Sequence, residues 1–299
     1  MGRRIPYNKP HLTYSQQLDQ LKARGLTIED EDKALFLLKR ISYYRLSAYW
    51  YPLLEEPKSA HQFKSGSTFN QAFQLYCFDR KLRQLILAEL EKIEVAVRSE
   101  MIYQYSEAYG PYWFDDVSLF RNSNQQNRAV TKMTEEYNRS DEAFILAFKN
   151  KYSNPLPPAW ILLEVVSFGT LSVTYKHLRP NRVKRNVADS FSLNKDVLTS
   201  WLHSIVYLRN ICAHHSRLWN RDMRITPARP VSPHRTFLPS HVRQDKVFYF
   251  LSAILYLLED VNPRNTFKER LEMLIDEYPV IDKAAMGFPE HYKEYQLWK

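Results

Sequence analysis

The stretch that decides the fold runs from residue 68 to residue 109 and reads TFNQAFQLYCFDRKLRQLILAELEKIEVAVRSEMIYQYSEAY. No glycine or proline interrupts it before Gly110 and Pro111, so the sequence predicts one helix of about 40 residues, the spine of a helical bundle. Its apolar residues recur at three- and four-residue steps or their sums, which is the period of one helix face. These residues are Phe69, Phe73, Tyr76, Leu82, Ile86, Leu90, Ile93 and Val97.

Helical signals continue on both sides of this spine. Thr13 is a predicted helix cap, and the acidic residues 29–32 suit the start of a second helix because they complement the helix dipole. No run alternates apolar and polar residues as a strand would, so the predicted class is all-α. The remaining predicted segments are an aromatic segment at 41–51 stopped by Pro52, helices at 141–151, 160–178, 194–213, 241–260 and 263–278, a polar stretch at 121–140, an extended loop at 216–240 and a packed arm over the last twenty residues.

The domain organisation follows from these segments. We expect an N-terminal helical and aromatic region at 1–67, a helical core at 68–260, and a C-terminal helix with an extended arm at 261–299, together forming one compact unit. The clearest break is the proline-rich residues 154–158, which could separate two domains, although we favour a joint between two helices of one bundle. Gly169 interrupts a predicted apolar helix, and we interpret it as a point of close packing or bending.

Composition excludes several classes of protein. The 299 residues include only six glycines, no two within twenty positions, so a P-loop or a dinucleotide-binding loop is excluded. The formal net charge of +9 favours polyanionic partners, although a basic protein without such a partner has the same charge. Cys77 and Cys212 lie too far apart for a zinc knuckle, and no signal peptide is visible, so we expect a cytoplasmic protein. Residues 247–258 are too few to cross a bilayer, and they predict a buried helix without membrane association.

The candidate site is the segment RNICAHH at 209–215, which ends a predicted helix. Leu208 and Cys212 belong to its buried seam, whereas Asn210 and His214, four residues apart, share the outward face. Arg209 lies on the shoulder between the two faces, about 140° around an ideal helix from His214. A long arginine side chain, or a helix that ends near residue 213, would close that gap.

These residue types suit cleavage of RNA by its own 2′-hydroxyl, without a metal or another cofactor. Histidine exchanges a proton near neutral pH, arginine presents a fork of donors to phosphate oxygens, and asparagine can hold the imidazole or a ligand hydroxyl. A metal site is the weaker interpretation, because the adjacent His214 and His215 point to different sides of a helix. A further alternative is that both histidines only cap the carboxyl end of the helix.

Two basic segments support the RNA interpretation. Every lysine or arginine position from 209 to 235 is arginine, and only Asp222 opposes them. The upstream segment at 176–185 is a second basic run, for which a solvated surface is the alternative. Trp219 offers a stacking surface of the kind that single-stranded RNA uses. The candidate RNA-contacting residues are Lys176, Arg179, Arg182, Lys184, Arg185, Arg217, Trp219, Arg221 and Arg224.

Four motifs in a fixed order resemble the Abi-like family, the abortive-infection phage-resistance proteins of bacteria. The resemblance extends over most of the chain, roughly from residue 14 to residue 258. It includes the region of Glu94 and Arg98, which are spaced for an ion pair that we expect to support the long helix. The motifs are ISYYRLSAYWYPL at 41–53, FDRKLR at 78–83 leading to IE at 93–94, PAW at 158–160 running to SFGTLS at 167–172, and LRNICAHHSRLWNR at 208–221.

The resemblance implies a helical bundle of the HEPN superfamily, many of whose members are metal-independent endoribonucleases. Carried over to matching positions, it makes Arg209 the phosphate-binding cation, Asn210 the polar helper and His214 the general acid/base, with His215 as possible catalytic support. Because related sites form where two copies meet, it also implies a homodimer with a composite site. The family is further linked to small structured noncoding RNAs, so the basic segments could hold a regulatory RNA.

Three functions follow as hypotheses. The first is an antiphage effector, an RNA-cleaving toxin that is restrained until infection. The second is a non-catalytic protein that sequesters or senses a structured RNA, and the third is a helical scaffold that pairs with another protein.

Overall fold

The computed structural model describes residues 6–231 and 235–299, and within these residues the chain forms twelve α-helices and no strand. The predicted all-α class is therefore confirmed. The helices are α1 Tyr14–Ala23, α2 Glu31–Ile41, α3 Tyr43–Trp50, α4 Phe69–Tyr109, α5 Ser123–Arg139, α6 Ala143–Lys151, α7 Ala159–Leu162, α8 Phe168–His177, α9 Arg182–Asp189, α10 Lys195–Ala213, α11 Val247–Val261 and α12 Phe267–Glu277.

The first two helices begin where their caps predict. The Thr13 hydroxyl accepts from the backbone N–H of Gln16, whose side chain accepts in turn from the N–H of Thr13, so two otherwise unsatisfied donors are bound. The Asp30 carboxylate accepts from the N–H of Lys33 and opens α2 inside the acidic stretch.

The predicted spine is α4, a single helix of 41 residues. Its predicted face is buried from Leu82 through Ile86 and Leu90 to Val97, so the periodicity identified the core side of the helix correctly. In the first turns, Phe73 and Tyr76 are only half-buried. Phe69 is buried as predicted, and the other buried positions there are Ala72, Leu75 and Phe78.

Two helices were not predicted from the sequence. The polar stretch at 121–140 contains α5, whose buried residues Gln126, Ala129, Met133 and Tyr137 recur every three or four positions on an otherwise polar helix. The basic run contains α9, which has only eight residues.

The helix predicted at 160–178 is interrupted, as expected, but not by Gly169. The chain passes from α7 through a short 3-10 turn, Leu163–Val165, and α8 starts after the Ser167 cap, so Gly169 lies in the first turn of α8. An added Cβ at Gly169 would meet its nearest neighbours at 3.9 Å, an ordinary contact distance. Gly169 is therefore neither a tight packing point nor the bend.

The chain divides into two compact units. The first comprises residues 1–81 and 274–281, and the second comprises residues 82–273 and 282–299. The proline-rich break at 154–158 lies inside the second unit, between α6 and α7. The three-segment organisation at 1–67, 68–260 and 261–299 stays a prediction.

The core of the second unit surrounds α11, in which every residue from Val247 to Leu258 is buried. The C-terminal arm packs on this helix: the rings of Phe248 and Trp298 stack at 5.2 Å, and the Trp298 indole N–H donates to the Ser252 hydroxyl at 2.9 Å. The predicted buried helix and packed arm are both confirmed. None of the helices in the described parts of the chain is long and apolar enough to cross a membrane.

Candidate functional site

The candidate site lies at the carboxyl end of α10, and the core fixes the orientation of that helix. The Asn194 side chain opens it by accepting from two backbone N–H groups. The predicted seam is buried along its whole length, so the opposite face turns outward. The seam residues are Leu198, Trp201, Ile205, Leu208 and Cys212.

A backbone motif closes α10. His214 is the C-cap, and His215 follows in the left-handed region with φ 54°. The N–H of His215 bonds to the carbonyl of Cys212 at 3.1 Å, and the N–H of Ser216 bonds to the carbonyl of Ile211 at 3.0 Å. This pair of bonds is the Schellman motif, which usually places glycine where His215 stands.

The helix end does not bring Arg209 and His214 together. The N–H of His214 still bonds to the carbonyl of Asn210 at 3.0 Å, so His214 stays on the helical spiral and the chain changes direction only at His215. Arg209 and His214 therefore keep the separation of about 140° expected from helix geometry. Within one copy of the chain, Asn210 and His214 share a face, and Arg209 leaves the helix from a different side.

The three predicted catalytic side chains are exposed and uncommitted. Arg209, Asn210 and His214 are all exposed, and none makes a side-chain hydrogen bond or ion pair with another residue in the described parts of the chain. Because backbone N–H groups already satisfy the last carbonyls, the helix end does not need the imidazole of His214 as a cap. This end of α10 thus presents a guanidinium, an amide and an imidazole to solvent.

A buried arginine anchors the segment that leaves this helix end. Arg83, on α4, is 3% exposed, and its guanidinium donates to the carbonyl of Ser216 at 3.2 Å. Leu218 and Trp219 are buried directly downstream, which fixes the chain on both sides of Arg217. In the sequence, Arg83 carried no signal beyond its place in the FDRKLR motif.

The downstream arginines divide between structural and exposed positions. Arg221 donates to the carbonyl of Arg217 at 2.9 Å, and Arg229 donates to three loop carbonyls at 2.8–2.9 Å. Arg235 pairs with both carboxylate oxygens of Asp260. Arg224 is exposed.

Trp219 does not offer the predicted stacking surface. It is 3% exposed, so no base can reach either face of its ring. Its burial belongs with the packing of the segment that follows α10.

Lys184 is a second predicted RNA contact that lies inside the protein. It is 2% exposed, and its ammonium donates to the carbonyls of Leu178 and Lys176 at the end of α8. Burial lowers the pKa of Lys184 to about 8. A basic run read from sequence does not distinguish this inward position on α9 from its neighbours Arg182 and Arg185, which are exposed.

A basic patch around the end of α8 combines two residues of the predicted basic run, Lys176 and Arg179, with Arg121 and Arg128, which sequence reasoning did not predict as RNA contacts. The backbone N–H of Arg121 bonds to the carbonyl of His177 at 3.0 Å, and that of Arg179 bonds to the carbonyl of Leu119 at 2.7 Å. Burial lowers the pKa of His177, and the charges of Lys176, Arg121 and Arg128 lower it further. We call the exposed residues Arg121, Arg128, Lys176 and Arg179 the α8 basic patch.

The patch and the Arg209–His214 site lie at opposite ends of α10. An added Cβ on Gly169, at the start of α8, would lie 3.9 Å from Val206, in the carboxyl half of α10. Lys184, which binds the far end of α8, is influenced by the charge of Asp196 in the first turn of α10. Thirteen helical residues from Asp196 to Arg209 span about 20 Å. The Arg209–His214 site and the α8 basic patch are therefore two separate surfaces.

A metal centre was the weaker interpretation of the paired histidines. In the ranges 6–231 and 235–299, no group of three or more His, Cys, Asp or Glu side chains is arranged to hold a metal ion.

The molecule is thus an all-α protein whose tenth helix presents Arg209, Asn210 and His214 at an exposed end. The family model described as "Abi-like protein" matches residues 36–220, more than half of the chain and including this helix end, so the chain belongs to that family. Membership suggests a role in abortive infection, that is, in resistance to phage. No curated protein and no solved structure matches the chain.

Proposed function

We propose that this protein is a metal-independent endoribonuclease of HEPN type that acts in abortive infection. One observation carries the proposal: Arg209, Asn210 and His214 are exposed together at a helix end and are not committed to hydrogen bonds or ion pairs among the described residues. Arg229 and Arg235, by contrast, are bound to carbonyls and a carboxylate of the same chain.

The proposed reaction is transfer of the phosphoryl group within the RNA. His214 removes the proton of a 2′-hydroxyl, the 2′-oxygen attacks the adjacent phosphorus, and the bond from phosphorus to the 5′-oxygen breaks. The leaving 5′-oxygen takes a proton from an imidazolium, and the products carry a 2′,3′-cyclic phosphate and a 5′-hydroxyl. Arg209 stabilises the charge that develops on the phosphoryl oxygens, and Asn210 orients the imidazole or the hydroxyl.

The proposed site is completed by a second copy of the chain. Arg209 and His214 diverge by about 140° on one helix, and we infer that the two groups that act on one phosphate come from different copies. Two helix ends that face each other would place Arg209 of one copy and His214 of the other at the same phosphate, and this imidazole would act first as the base and then, once protonated, as the acid. A homodimer is therefore part of the proposal.

The direct test is cleavage of single-stranded RNA by purified protein in the presence of EDTA. The wild-type protein should leave 2′,3′-cyclic phosphate ends, and Arg209→Ala and His214→Ala should each abolish cleavage while keeping the wild-type circular dichroism and thermal unfolding. His203→Ala is the matched control, because His203 is another exposed histidine of α10 that lies outside the site. Full activity of either site variant would refute the assignment.

Mixing the two inactive variants tests the composite site. Subunit exchange between the Arg209→Ala and His214→Ala proteins gives mixed dimers that hold one intact arginine and one intact histidine on different subunits. Cleavage should return in the mixture, although neither variant is active alone. If exchange is demonstrated and cleavage does not return, the site does not form across two copies.

The α8 basic patch favours a second candidate function, in which the protein holds a structured regulatory RNA without cutting it. Its exposed cations surround the end of α8 that lies toward the first turn of α10, away from the proposed catalytic end, so they can bind an RNA independently of cleavage. Under this alternative, RNA co-purifies with the protein, and Arg209→Ala and His214→Ala keep full phage resistance in cells. Replacement of Arg121, Arg128 and Arg179 by glutamate should then remove both the bound RNA and the resistance.

A further inference from the structure

The first unit contains a cavity that the proposed function does not use. Its volume is about 760 Å³, within the range of about 300–1,000 Å³ typical of small-molecule sites. Its walls come from the segment before α1, from α1 itself, from α3 and from the loop after α3, all of which belong to the first unit. The aromatic motif at 41–53 therefore lines a cavity as well as a core.

Aromatic side chains form much of the wall. Tyr43 and Trp50 pack edge to face, with ring centroids 5.0 Å apart. Tyr44 is 88% exposed, Tyr51 is 51% exposed and Tyr7 is 82% exposed. Exposed tyrosines around a cavity provide flat surfaces on which the base of a nucleotide can stack.

The charge of the lining is positive. One N–H group of Arg24 donates to the Tyr43 hydroxyl at 3.0 Å, and its other side-chain N–H groups bind nothing in residues 6–231 and 235–299. Lys9, His11 and His61 also line the cavity, and no carboxylate is among the described lining residues. An arginine whose donors are left unused beside a cavity without acids suits an anion.

Two lining residues hold backbone conformations that glycine usually adopts. Ser42 has φ 81° and ψ 146°, and His61 has φ 54° and ψ 25°. In residues other than glycine, such backbone conformations cost conformational free energy. They are found most often at functional sites, where the surrounding structure holds the backbone in place. In addition, Gln17 lines the cavity, and its side-chain carbonyl oxygen is buried without a hydrogen-bond partner in the described chain.

We propose that this cavity binds a nucleotide, either free or as an unpaired residue of an RNA. The base stacks on the exposed tyrosines, Arg24 and Lys9 hold the phosphate, and the carbonyl of Gln17 accepts from an N–H group of the base. A nucleotide matches this cavity because its flat base suits the exposed tyrosines and its phosphate suits the cations, with no carboxylate among the described lining residues to repel it. The proposal does not depend on cleavage at α10.

The test measures binding to the full-length His214→Ala protein, in which RNA is expected to stay intact. The probes are the four ribonucleoside monophosphates, inorganic phosphate and a six-nucleotide single-stranded RNA, each followed by isothermal titration calorimetry. Tyr44→Ala removes an exposed ring without touching the core, and Arg24→Gln removes the charge while keeping a donor. The matched controls are Tyr103→Ala and Arg264→Gln, which change exposed residues outside the cavity.

We expect Tyr44→Ala and Arg24→Gln each to weaken binding by about tenfold, as loss of one base stack or one phosphate contact does, and the controls to leave it unchanged. If monophosphates bind and both cavity variants lose them, the ligand is a free nucleotide. If only the RNA binds and shows the same losses, the ligand is an unpaired RNA residue.

Binding that the cavity variants change no more than the controls would overturn the proposal. So would inorganic phosphate that competes as strongly as the nucleotide, because the base would then contribute nothing. If the wild-type protein does not cleave RNA but nucleotides still bind at the cavity, the function proposed for α10 is refuted and the cavity site is not.

Discussion

The left-handed residue at the end of α10 allows the roles of the two adjacent histidines to be separated. His215 stands at φ 54°, where the Schellman motif usually has glycine. His215→Gly and His215→Ala both remove the imidazole, so whatever it contacts is lost equally in the two variants. They differ in their ability to adopt the backbone conformation that keeps His214 on the helical spiral.

The expected difference in stability can be estimated from that conformation. A residue with a Cβ costs about 1–2 kcal/mol in the left-handed region, and glycine avoids this cost. Glycine loses about 0.5–1 kcal/mol more chain entropy on folding, which offsets part of the gain. The free energy of unfolding of the glycine variant should therefore exceed that of the alanine variant by about 1 kcal/mol.

Two assays check this reasoning. Urea unfolding of the full-length protein should give the difference of about 1 kcal/mol between the two variants. RNA cleavage should continue in the glycine variant at the wild-type rate, because the proposed proton transfer belongs to His214. Equal stabilities would refute the left-handed conformation at position 215, and loss of cleavage in both variants would assign the proton transfer to His215 instead.

Three further predictions concern the packing, the pH dependence and the basic patch. Gly169→Ala should raise the free energy of unfolding by about 0.5–1 kcal/mol in urea unfolding. Gly287→Ala should lower the free energy of unfolding by about 2–5 kcal/mol, because Gly287 has φ 87° and an added Cβ there would overlap a lysine side chain. His177 has a lowered pKa in the folded protein, so the unfolded chain takes up a proton first, and stability should fall as the pH drops below the ordinary histidine pKa of 6.5. His177→Gln should flatten this pH dependence of the thermal unfolding temperature. An unchanged pH profile would contradict the assignment. Replacing Arg121 and Arg128 by glutamine should reduce the slope of log affinity against log salt for single-stranded RNA by about 1.4, and an unchanged slope would place the RNA elsewhere.

The parts of the fold that sequence reasoning predicted are those with a strong helical period. The 41 residues of α4 and the seam of α10 repeat apolar side chains every three or four positions, and no local choice competes with a helix there. In α5, by contrast, the buried positions include a glutamine and a tyrosine on a mostly polar helix. Its burial depends on tertiary packing, which a local pattern does not contain.

For the candidate site, the sequence predicted the chemical types of the residues better than the environment of each side chain. The outward face of Asn210 and His214 followed from the helical wheel, and the structure confirms it. Lys184 and Trp219 were predicted as RNA contacts, and both are buried, because a run of charges or a nearby ring does not reveal which positions face inward. Arg121 and Arg128 join the patch only through the fold, since they lie on a different segment from Lys176 and Arg179.

The arginine-rich segment after α10 shows why composition overstates phosphate binding. Its described residues, 216–231 and 235–246, form no α-helix, so their carbonyls need donors from elsewhere. Arginine supplies up to five N–H groups from one side chain, and Arg229 uses them on three carbonyls while Arg235 binds Asp260 and the carbonyl of Tyr256. The same donors that suit phosphate thus fasten a loop. What separates the two uses is whether the donors are already bound, and by that criterion Arg209 is available for RNA where Arg229 and Arg235 are not.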